Sequence, residues 1–461
     1  MSGDSRGGAS PRRVAFDVLR AVQVDDAYAN LLLPVRIKRA ALSARDAGFA
    51  TELTYGAIRM LGRYDAIIEA ASGRRVDNIE ADVLDVLRLG AHQVLAMRVP
   101  MHAAVSETVE LARQVGARRA TGFVNAVLRK VAAKPDAEWD ASILQGLHGD
   151  QRLATKWSHP AWVVGALRES LYAEGSADEL EDLLEADDLA PRVQLVALPG
   201  LATPDDVLED ATDDAVSPTG VRGLIGDPAR LPAVREGMAR VQDEGSQLAA
   251  LALSRSSEVR PGERWLDMCA GPGGKAALLA AEARRTGAHL VANELVPARV
   301  GLVRNSLSQF DDVVTVIEGD ARQFGAEAGG GADLFDRILL DAPCTGLGAL
   351  RRRPEARWRK TPDDVPELAA LQRQLLQAAV RVLAPGGTLA YVTCSPHLDE
   401  TRRQAEWVLA AHAGELEQID AVSVIREVAV RDPGLADGPV AQLWPHRAGT
   451  DAMFVALFRR R

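Results

Sequence analysis

The chain has 461 residues, a formal net charge of -10, 47% apolar residues and three cysteines. Its length is too great for one hydrophobic core and predicts two or three domains. The acidic balance excludes a wholly basic nucleic-acid binder but not a local basic patch, and so few cysteines exclude a disulfide framework.

Thiols in so long a chain suit a reducing compartment. No signal-peptide pattern opens the sequence and no uncharged apolar run reaches about 18 residues, so the expectation is a cytoplasmic protein with no membrane partner. Residues 1–10, polar and glycine-rich, read as a disordered tail. From Pro11 onward the pattern is helical: Pro11 suits a first helical turn, and Val14, Val18, Leu19 and Val22 recur at helix spacing. Further helices are expected at 44–60, 63–71, 79–96, 103–115 and 119–133, giving an all-helical domain over 11–140. Arg118, Arg119, Arg129 and Lys130 cluster near its end, either as contacts to RNA phosphates or as a solvated helix face.

Trp157 and Trp162 read as core anchors, with a helix from Trp162 to Tyr172. Residues 174–214 are strongly acidic with Arg192 as the only base; such a face is solvated and repels a polyanion. Short apolar pieces at Arg192–Leu198 and Gly220–Ile225 predict strands of a small α+β connector covering 141–240.

Over 241–461 apolar runs of strand length alternate with helices. Strands are expected at Arg264–Met268, Leu290–Asn293, Val313–Glu318, Phe335–Asp341 and Thr388–Thr393, with later strand segments near 420–429 and 452–458 that could add an antiparallel edge. Helices are expected at 246–253, 274–285, 297–308 and 367–383. Alternation of this kind predicts a mostly parallel sheet covered on both faces. Its first strand runs into a glycine-rich turn and a helix, where a ligand can approach the backbone at a helix start. The turn is neither GxGxxG nor a P-loop, and reads as a cradle for a small zwitterionic cofactor.

Ligands of such sheets bind beyond the carboxyl ends of the strands. Those ends carry Asp267 with the turn Cys269, Ala270, Gly271, Pro272, Gly273, Gly274 and Lys275, then Asn293-Glu294, Asp320, Asp341 through Cys344, and Thr393-Cys394-Ser395. Glu294 is placed to accept ribose hydroxyls and Asp320 an adenine amino group, which suits an adenosine cofactor without pyrophosphate. The cysteine spacing argues against structural zinc. Buried inert thiols are one alternative; the other is chemistry, because Cys344 and Cys394 stand in polar turns. A thiolate adds readily to carbon 6 of a pyrimidine, carbon 5 then takes a methyl group, and a base must remove its proton and expel the thiol. The basic segment Arg351, Arg352, Arg353, Arg357, Trp358, Arg359 and Lys360 is expected on the pocket rim, gripping an RNA backbone while Trp358 stacks or packs and a base flips inward.

These motifs resemble the RNA cytosine-C5 methyltransferase family, and within it the bacterial Sun/Fmu (RsmB) group. The resemblance rests on Gln242 through Ser246, on Asp267 through Lys275, on Asp341-Ala342-Pro343-Cys344-Thr345-Gly346-Leu347-Gly348 and on Thr393-Cys394-Ser395. In the amino-terminal part Thr54 through Arg59, His102 through Glu107 and Gly122 through Arg129 look like a helical NusB-like RNA-binding domain. The resemblance implies a Rossmann-like α/β methyltransferase domain over 241–461 that uses S-adenosyl-L-methionine and releases S-adenosyl-L-homocysteine. It implies Cys394 as nucleophile, Cys344 in proton removal and release, and Asp341 with Lys275 at the cytosine edge, Asp341 also bordering the cofactor. Asp267 and the turn from Cys269 to Lys275 would hold the methionine portion, Glu294 the ribose and Asp320 the adenine, with Cys269 structural. Gly271 stands where alanine is common, a change expected to be harmless, and Glu294 where aspartate is frequent. Ala452 and Met453 depart from a segment usually written Asp-Gly-Phe-Phe. The implied reaction is methylation of a cytosine in 16S ribosomal RNA, free or in a partly assembled small subunit, with no DNA partner; a monomer is expected because RNA could bridge the domains without a second subunit. A tRNA substrate and a noncatalytic RNA-binding or assembly factor stay open as alternatives; a nicotinamide oxidoreductase is disfavoured by the missing GxGxxG and the paired thiols.

Overall fold

Seven helices follow one another from Pro11 to Ala132: Pro11–Val24, Ala29–Arg39, Ala44–Arg59, Leu61–Ser72, Ala81–Leu95, Met101–Gln114 and Thr121–Ala132. The structure, a computed structural model, describes residues 10–326 and 334–461. Of the tail expected at 1–10, residues 1–9 lie outside the described residues. Ser10 is not part of any tail: its Oγ accepts from the Arg13 backbone N–H at 3.2 Å and caps the first helix. Ala29–Arg39 was absent from the sequence reading, because Pro34 inside it interrupts the helical pattern. Ala81–Leu95 is buried from Val83 to Gln93 and forms the centre of this bundle. Its one buried acid, Asp85, is paired with Arg20 at 2.9 Å and Arg88 at 2.8 Å, so the charge is compensated.

This first unit takes in the chain through Gly165 together with Leu184–Ala190 and Leu350–Arg359. Residues 141–165, read as the start of the connector, therefore group with the helices. So does most of the basic segment, and here the expectation of an RNA-gripping rim needs correction. The Arg357 side chain is fully buried; its Nη1 donates to Asp188 Oδ1 at 2.8 Å and to the Ser158 carbonyl at 3.0 Å, and its Nη2 to the Asp187 carbonyl at 3.2 Å. Trp358 lays its ring where Gly62 has no side chain, and a Cβ at 62 would collide with it. Arg359 sits over the Tyr28 ring and donates to the Ala27 carbonyl. Arg351 is buried, and its own carbonyl accepts from Arg59 at 3.3 Å. The side chains of Arg357, Trp358 and Arg359 pack against residues of the helical unit, and Arg351 is buried with them. Arg353 is exposed, Arg352 is half-buried, and Lys360 pairs with Asp364 at 3.1 Å.

The second unit holds Ala166–Leu183, Pro191–Ala349 and Lys360–Arg461. Strands β1 (Leu195–Ala197), β2 (Gly220–Val221) and β3 (Ala239–Val241) form a small antiparallel sheet in the order β2-β1-β3. The two connector strands expected at 192–198 and 220–225 are thus present, shorter, and joined by a third. The main sheet contains β4 (Arg264–Asp267), β5 (His289–Glu294), β6 (Val314–Glu318), β7 (Phe335–Asp341), β8 (Leu383–Thr393), β9 (Leu416–Ile419), β10 (Ala441–Gln442) and β11 (Phe454–Arg460). Its order is β10-β11-β8-β7-β4-β5-β6, with β9 also paired to β11. Pairings among β4 to β8 are parallel, and β11 runs antiparallel to β8 with Phe454 opposite Thr393. Helices cover it as expected, among them Gly274–Thr286, Pro297–Leu307 and Asp364–Val382. The helix Glu244–Ser254 is buried from Gln247 to Ser254, and each leucine hidden there contributes about 1.5–3 kcal/mol.

One strand assignment fails. Residues 420–429 form the helix Ala421–Val428, capped by Asp420, whose Oδ1 accepts from the Ser423 backbone N–H at 3.0 Å. Its buried residues Ala421, Val422, Ile425 and Val428 follow helical spacing; the neighbouring strand is β9, just before the cap.

Arg357→Ala should lower unfolding free energy by about 3–5 kcal/mol, because it leaves Asp188 buried and unpaired. Denaturant titration measures this; a variant as stable as the parent would mean that Arg357 is not an internal anchor.

Candidate active site

β4 ends on Asp267, and the chain turns through Cys269–Gly273 into the helix that begins at Gly274. Gly273 has φ 108°, a left-handed conformation natural to glycine, and a Cβ there would strike Ser306. The turn is tied on both sides: Ser306 Oγ donates to the Pro272 carbonyl at 3.1 Å and Arg240 Nη1 to the Gly273 carbonyl at 3.0 Å. One helical turn start later, Lys275 Nζ donates to Asp341 Oδ2 at 2.8 Å, joining the end of β7 to the glycine turn. Burial pulls the lysine down, but the ion pair with Asp341 outweighs it and holds Lys275 above its usual value. The charge of Cys394 acts on Lys275 in the same sense, and the attraction is reciprocal: the ammonium favours a thiolate at Cys394.

Cys344, beyond β7, and Cys394, beyond β8, approach each other with 3.5 Å between their sulfurs. Both are half-buried and in no disulfide. The Cys344 thiol is held well above its ordinary value by its hydrogen bond with Cys394, then by burial and by the charges of Cys394 and Glu400. That shift favours the protonated form of Cys344. Cys269 is pushed up by burial and by the charges of Asp267, Asp341 and Glu294, which disfavours its thiolate. Asp267 is pushed up to about 8, first by burial and then by Asp341, against the pull of Lys275.

On the neighbouring strand ends, Glu294 is buried and accepts from the backbone N–H of Gly271 at 3.0 Å and of Val296 at 2.9 Å. A methyl group at 271 would meet this carboxylate and Arg299, so alanine there requires both side chains to shift. Asn293 pins the strand ends, donating through Nδ2 to the carbonyls of Met268 (2.9 Å) and Gly319 (3.1 Å). Its Oδ1 is buried without a partner, which leaves an acceptor for a ligand donor at the sheet edge. Asp320 instead spends its carboxylate on Arg322, with bonds of 2.7–3.0 Å, and is held below the usual carboxylate range by it. Among the described residues no group of three or more His, Cys, Asp or Glu is placed to hold a metal.

Two residues here went unnoticed in the sequence, Glu400 and Gln372. Glu400, fully buried, accepts from the Thr345 backbone N–H (2.8 Å), Thr345 Oγ1 (2.5 Å) and Ser395 Oγ (2.6 Å), and Gln372 Nε2 donates to it at 3.3 Å. Thr345 and Ser395 follow the two cysteines directly. A glutamate inside Leu-Asp-Glu-Thr carries no periodicity that would reveal its burial. The divergent residue Ala452 meets the cysteine loop through its backbone: its N–H donates to the Gly348 carbonyl at 2.8 Å, and Gly348 N–H donates to the Cys394 carbonyl at 2.8 Å. A change of side chain at 452 leaves those bonds available.

Residues 256–459 match the family model described as 16S rRNA methyltransferase RsmB/F, and residues 9–133 match the NusB family. A protein of Mycobacterium tuberculosis (strain H37Rv), named only as a candidate methyltransferase, is 45% identical over 97% of this chain and 96% of its own. The ribosomal RNA small subunit methyltransferase B of Pseudomonas syringae pv. tomato is 32% identical over 97% of this chain and 96% of that protein. The chain belongs to the RsmB/F family. It is an S-adenosylmethionine-dependent methyltransferase with a NusB-like helical region ahead of a Rossmann-like domain. The same fold is seen in the crystal structure of PH0851, with a TM-score of 0.75, 23% identity and coverage of 99% of this chain and 100% of that one. The cradle of this RsmB/F member suits the cofactor: a glycine turn at a helix start, an orphan buried acceptor and carboxylates at successive strand ends.

Two predictions follow the geometry. Gly271→Ala should weaken S-adenosylhomocysteine binding about tenfold or more by calorimetry, and Glu294→Asp, one methylene shorter, should restore much of it in the double variant; additive losses would contradict the coupling. The second concerns pH. Folded Asp267, at about 8 against an ordinary 3.8, keeps a proton that the unfolded chain has lost. The site therefore costs stability as pH rises through that interval. Asp267→Asn should flatten the fall in melting temperature between about pH 5 and 8, and an unchanged slope would place the titration elsewhere.

Proposed function

We propose that this chain methylates carbon 5 of a cytosine in small-subunit ribosomal RNA through a covalent cysteine adduct. The observation that carries the reading is the pair of thiols 3.5 Å apart beyond the ends of adjacent strands, beside the half-buried Lys275–Asp341 ion pair. A thiolate nucleophile next to a second, protonated thiol is the equipment for adding to an aromatic ring and then leaving it. The names of the curated relatives, small-subunit ribosomal RNA methyltransferases, support the same substrate class.

S-adenosylmethionine, when bound, supplies an electrophilic methyl group. The residues proposed to hold it are Asp267 and the turn from Cys269 to Lys275 for the methionine portion, Glu294 for the ribose and Asp320 for the adenine, the last after release from Arg322. Cys394, as thiolate, gives its electron pair to carbon 6 of the cytosine. Negative charge then builds on the ring, and Asp341 with Lys275 meets it at the N3 and amino edge. Cys344 follows in sequence. Its largest restraint against ionising is the hydrogen bond to Cys394, and that restraint ends once the Cys394 sulfur is bonded to carbon. The freed Cys344 can release its proton to solvent and, as thiolate, take the proton from methylated carbon 5. The C5–H electron pair restores the ring double bond, and the bond from carbon 6 to the Cys394 sulfur breaks.

Arg118, Arg119, Arg129 and Lys130 are exposed on the helical unit, in keeping with phosphate contacts. Of the former rim residues, the exposed Arg353 keeps that assignment. Among the described residues no helix is long and apolar enough to cross a membrane. We place the enzyme in the cytoplasm as a monomer acting on RNA, with domains divided into helical RNA binding, connector and catalysis.

Cys344→Ser incubated with deproteinised small-subunit rRNA and S-adenosylmethionine should accumulate an adduct through Cys394, detected by mass spectrometry of the attached nucleotide. Turnover without accumulation would remove the release role from Cys344.

A further inference from the structure

The nucleophile and its partner sit on loops from different strands, so something must hold their separation. Backbone pairing of β7 with β8 ends at Asp341 and Val392, short of both cysteines. Beyond that point the loops share one backbone bond, from Gly348 N–H to the Cys394 carbonyl at 2.8 Å, and side chains that converge on one carboxylate. Glu400 Oε1 accepts from the Thr345 backbone N–H at 2.8 Å; Oε2 accepts from Thr345 Oγ1 at 2.5 Å and Ser395 Oγ at 2.6 Å. The two hydroxyl oxygens are themselves 3.0 Å apart. Gln372, from the helix between β7 and β8, braces the assembly by donating to Glu400 Oε1 at 3.3 Å and to the Pro343 carbonyl at 2.9 Å. The Glu400 backbone is fixed as well, its carbonyl accepting from Tyr391 Oη at 2.7 Å within β8. Thr345, Ser395 and Glu400 are all buried, Ser395 and Glu400 completely. Burial of an acid costs several kcal/mol unless its lone pairs are satisfied, and here donors from both cysteine loops do so.

We propose that Glu400 is the positioning residue of the paired-thiol centre, binding the residues that follow Cys344 and Cys394 into one rigid unit and so setting the distance between the two sulfurs. It touches neither RNA nor cofactor; it acts through Thr345 and Ser395. Its negative charge has a second effect of the same sign, since it opposes ionisation of Cys344 and keeps that thiol protonated while Cys394 is the thiolate. The inference rests on the two-cysteine reading above.

The test compares Glu400→Ala and Glu400→Gln in the full-length enzyme. Glutamine can retain the bonds: its carbonyl accepts from Thr345 N–H, and its amide donates to hydroxyls that turn round to accept. Glu400→Ala should lower kcat on small-subunit rRNA about 100-fold, the scale expected for misplacing a reacting group by about 1 Å. Its affinity for S-adenosylhomocysteine by calorimetry should stay within about twofold. Glu400→Gln should recover kcat to within about tenfold of the parent. The sulfur separation is read directly: under a mild thiol oxidant such as a dipyridyl disulfide, the rate of Cys344–Cys394 disulfide formation should fall in Glu400→Ala and recover in Glu400→Gln. Retained kcat in Glu400→Ala, or cofactor affinity falling in parallel with kcat, would overturn the proposal. Should Glu400→Ala fail to fold, Thr345→Val combined with Ser395→Ala removes the same bonds from the other side and should give the same loss; full activity there would also overturn it. Methylation that survives Cys394→Ala would sink the two-cysteine reading itself, an outcome separate from any result at position 400.

Discussion

A contact of 3.5 Å between two sulfurs requires that β7 and β8 be parallel neighbours with Asp341 opposite Val392. The helix Asp364–Val382 makes the crossover between them, and its buried face, including Leu375, Leu376, Ala379 and Val380, holds it to the sheet. With that register fixed, a loop leaving each strand places one cysteine beside the other. A one-residue slip in either strand would turn its side chains to the opposite face and separate the thiols. The glycine turn depends on the same pairing, because β4 lies next to β7 and the Lys275–Asp341 ion pair closes the gap between their ends.

Electrostatics then sorts the titratable groups crowded into this space. One ammonium faces Asp341, Asp267 and Cys394, and the buried site cannot carry a charge on every acid. Asp341 takes the ion pair, burial and Asp341 raise Asp267 to about 8, and burial disfavours a thiolate at Cys269. Between the remaining two sulfurs the hydrogen bond and burial disfavour the Cys344 thiolate. Two cysteines that look alike in sequence thereby stand in different electrostatic surroundings.

Much of this was legible in the sequence because the strand ends are in phase: Asp267, Glu294, Asp341 and Cys394 each follow an apolar run of strand length, and the structure brings all four to one end of one sheet. Local patterning failed where long-range partners decide the outcome. Arg357 looks like a surface cation until Asp188, far away in sequence, is found against it. Residues 421–428 are rich in β-branched side chains, yet the Asp420 cap and the spacing of Val422, Ile425 and Val428 win as a helix. Glu400 could not be found because a polar turn gives no hint that a carboxylate will be enclosed by donors from two other loops. The consequence of an exchange at Gly271 is hidden for a related reason: it depends on Glu294, which folds back over the turn.

The most direct test of the central claim uses small-subunit rRNA transcribed with 5-fluorocytidine, in which no proton can leave carbon 5 after methylation. Incubation with the parent enzyme and S-adenosylmethionine, followed by proteolysis and mass spectrometry, should find a methylated fluorocytidine bonded to the peptide that contains Cys394. A nucleotide on the Cys344 peptide, or methylation with no covalent species at all, would contradict the account.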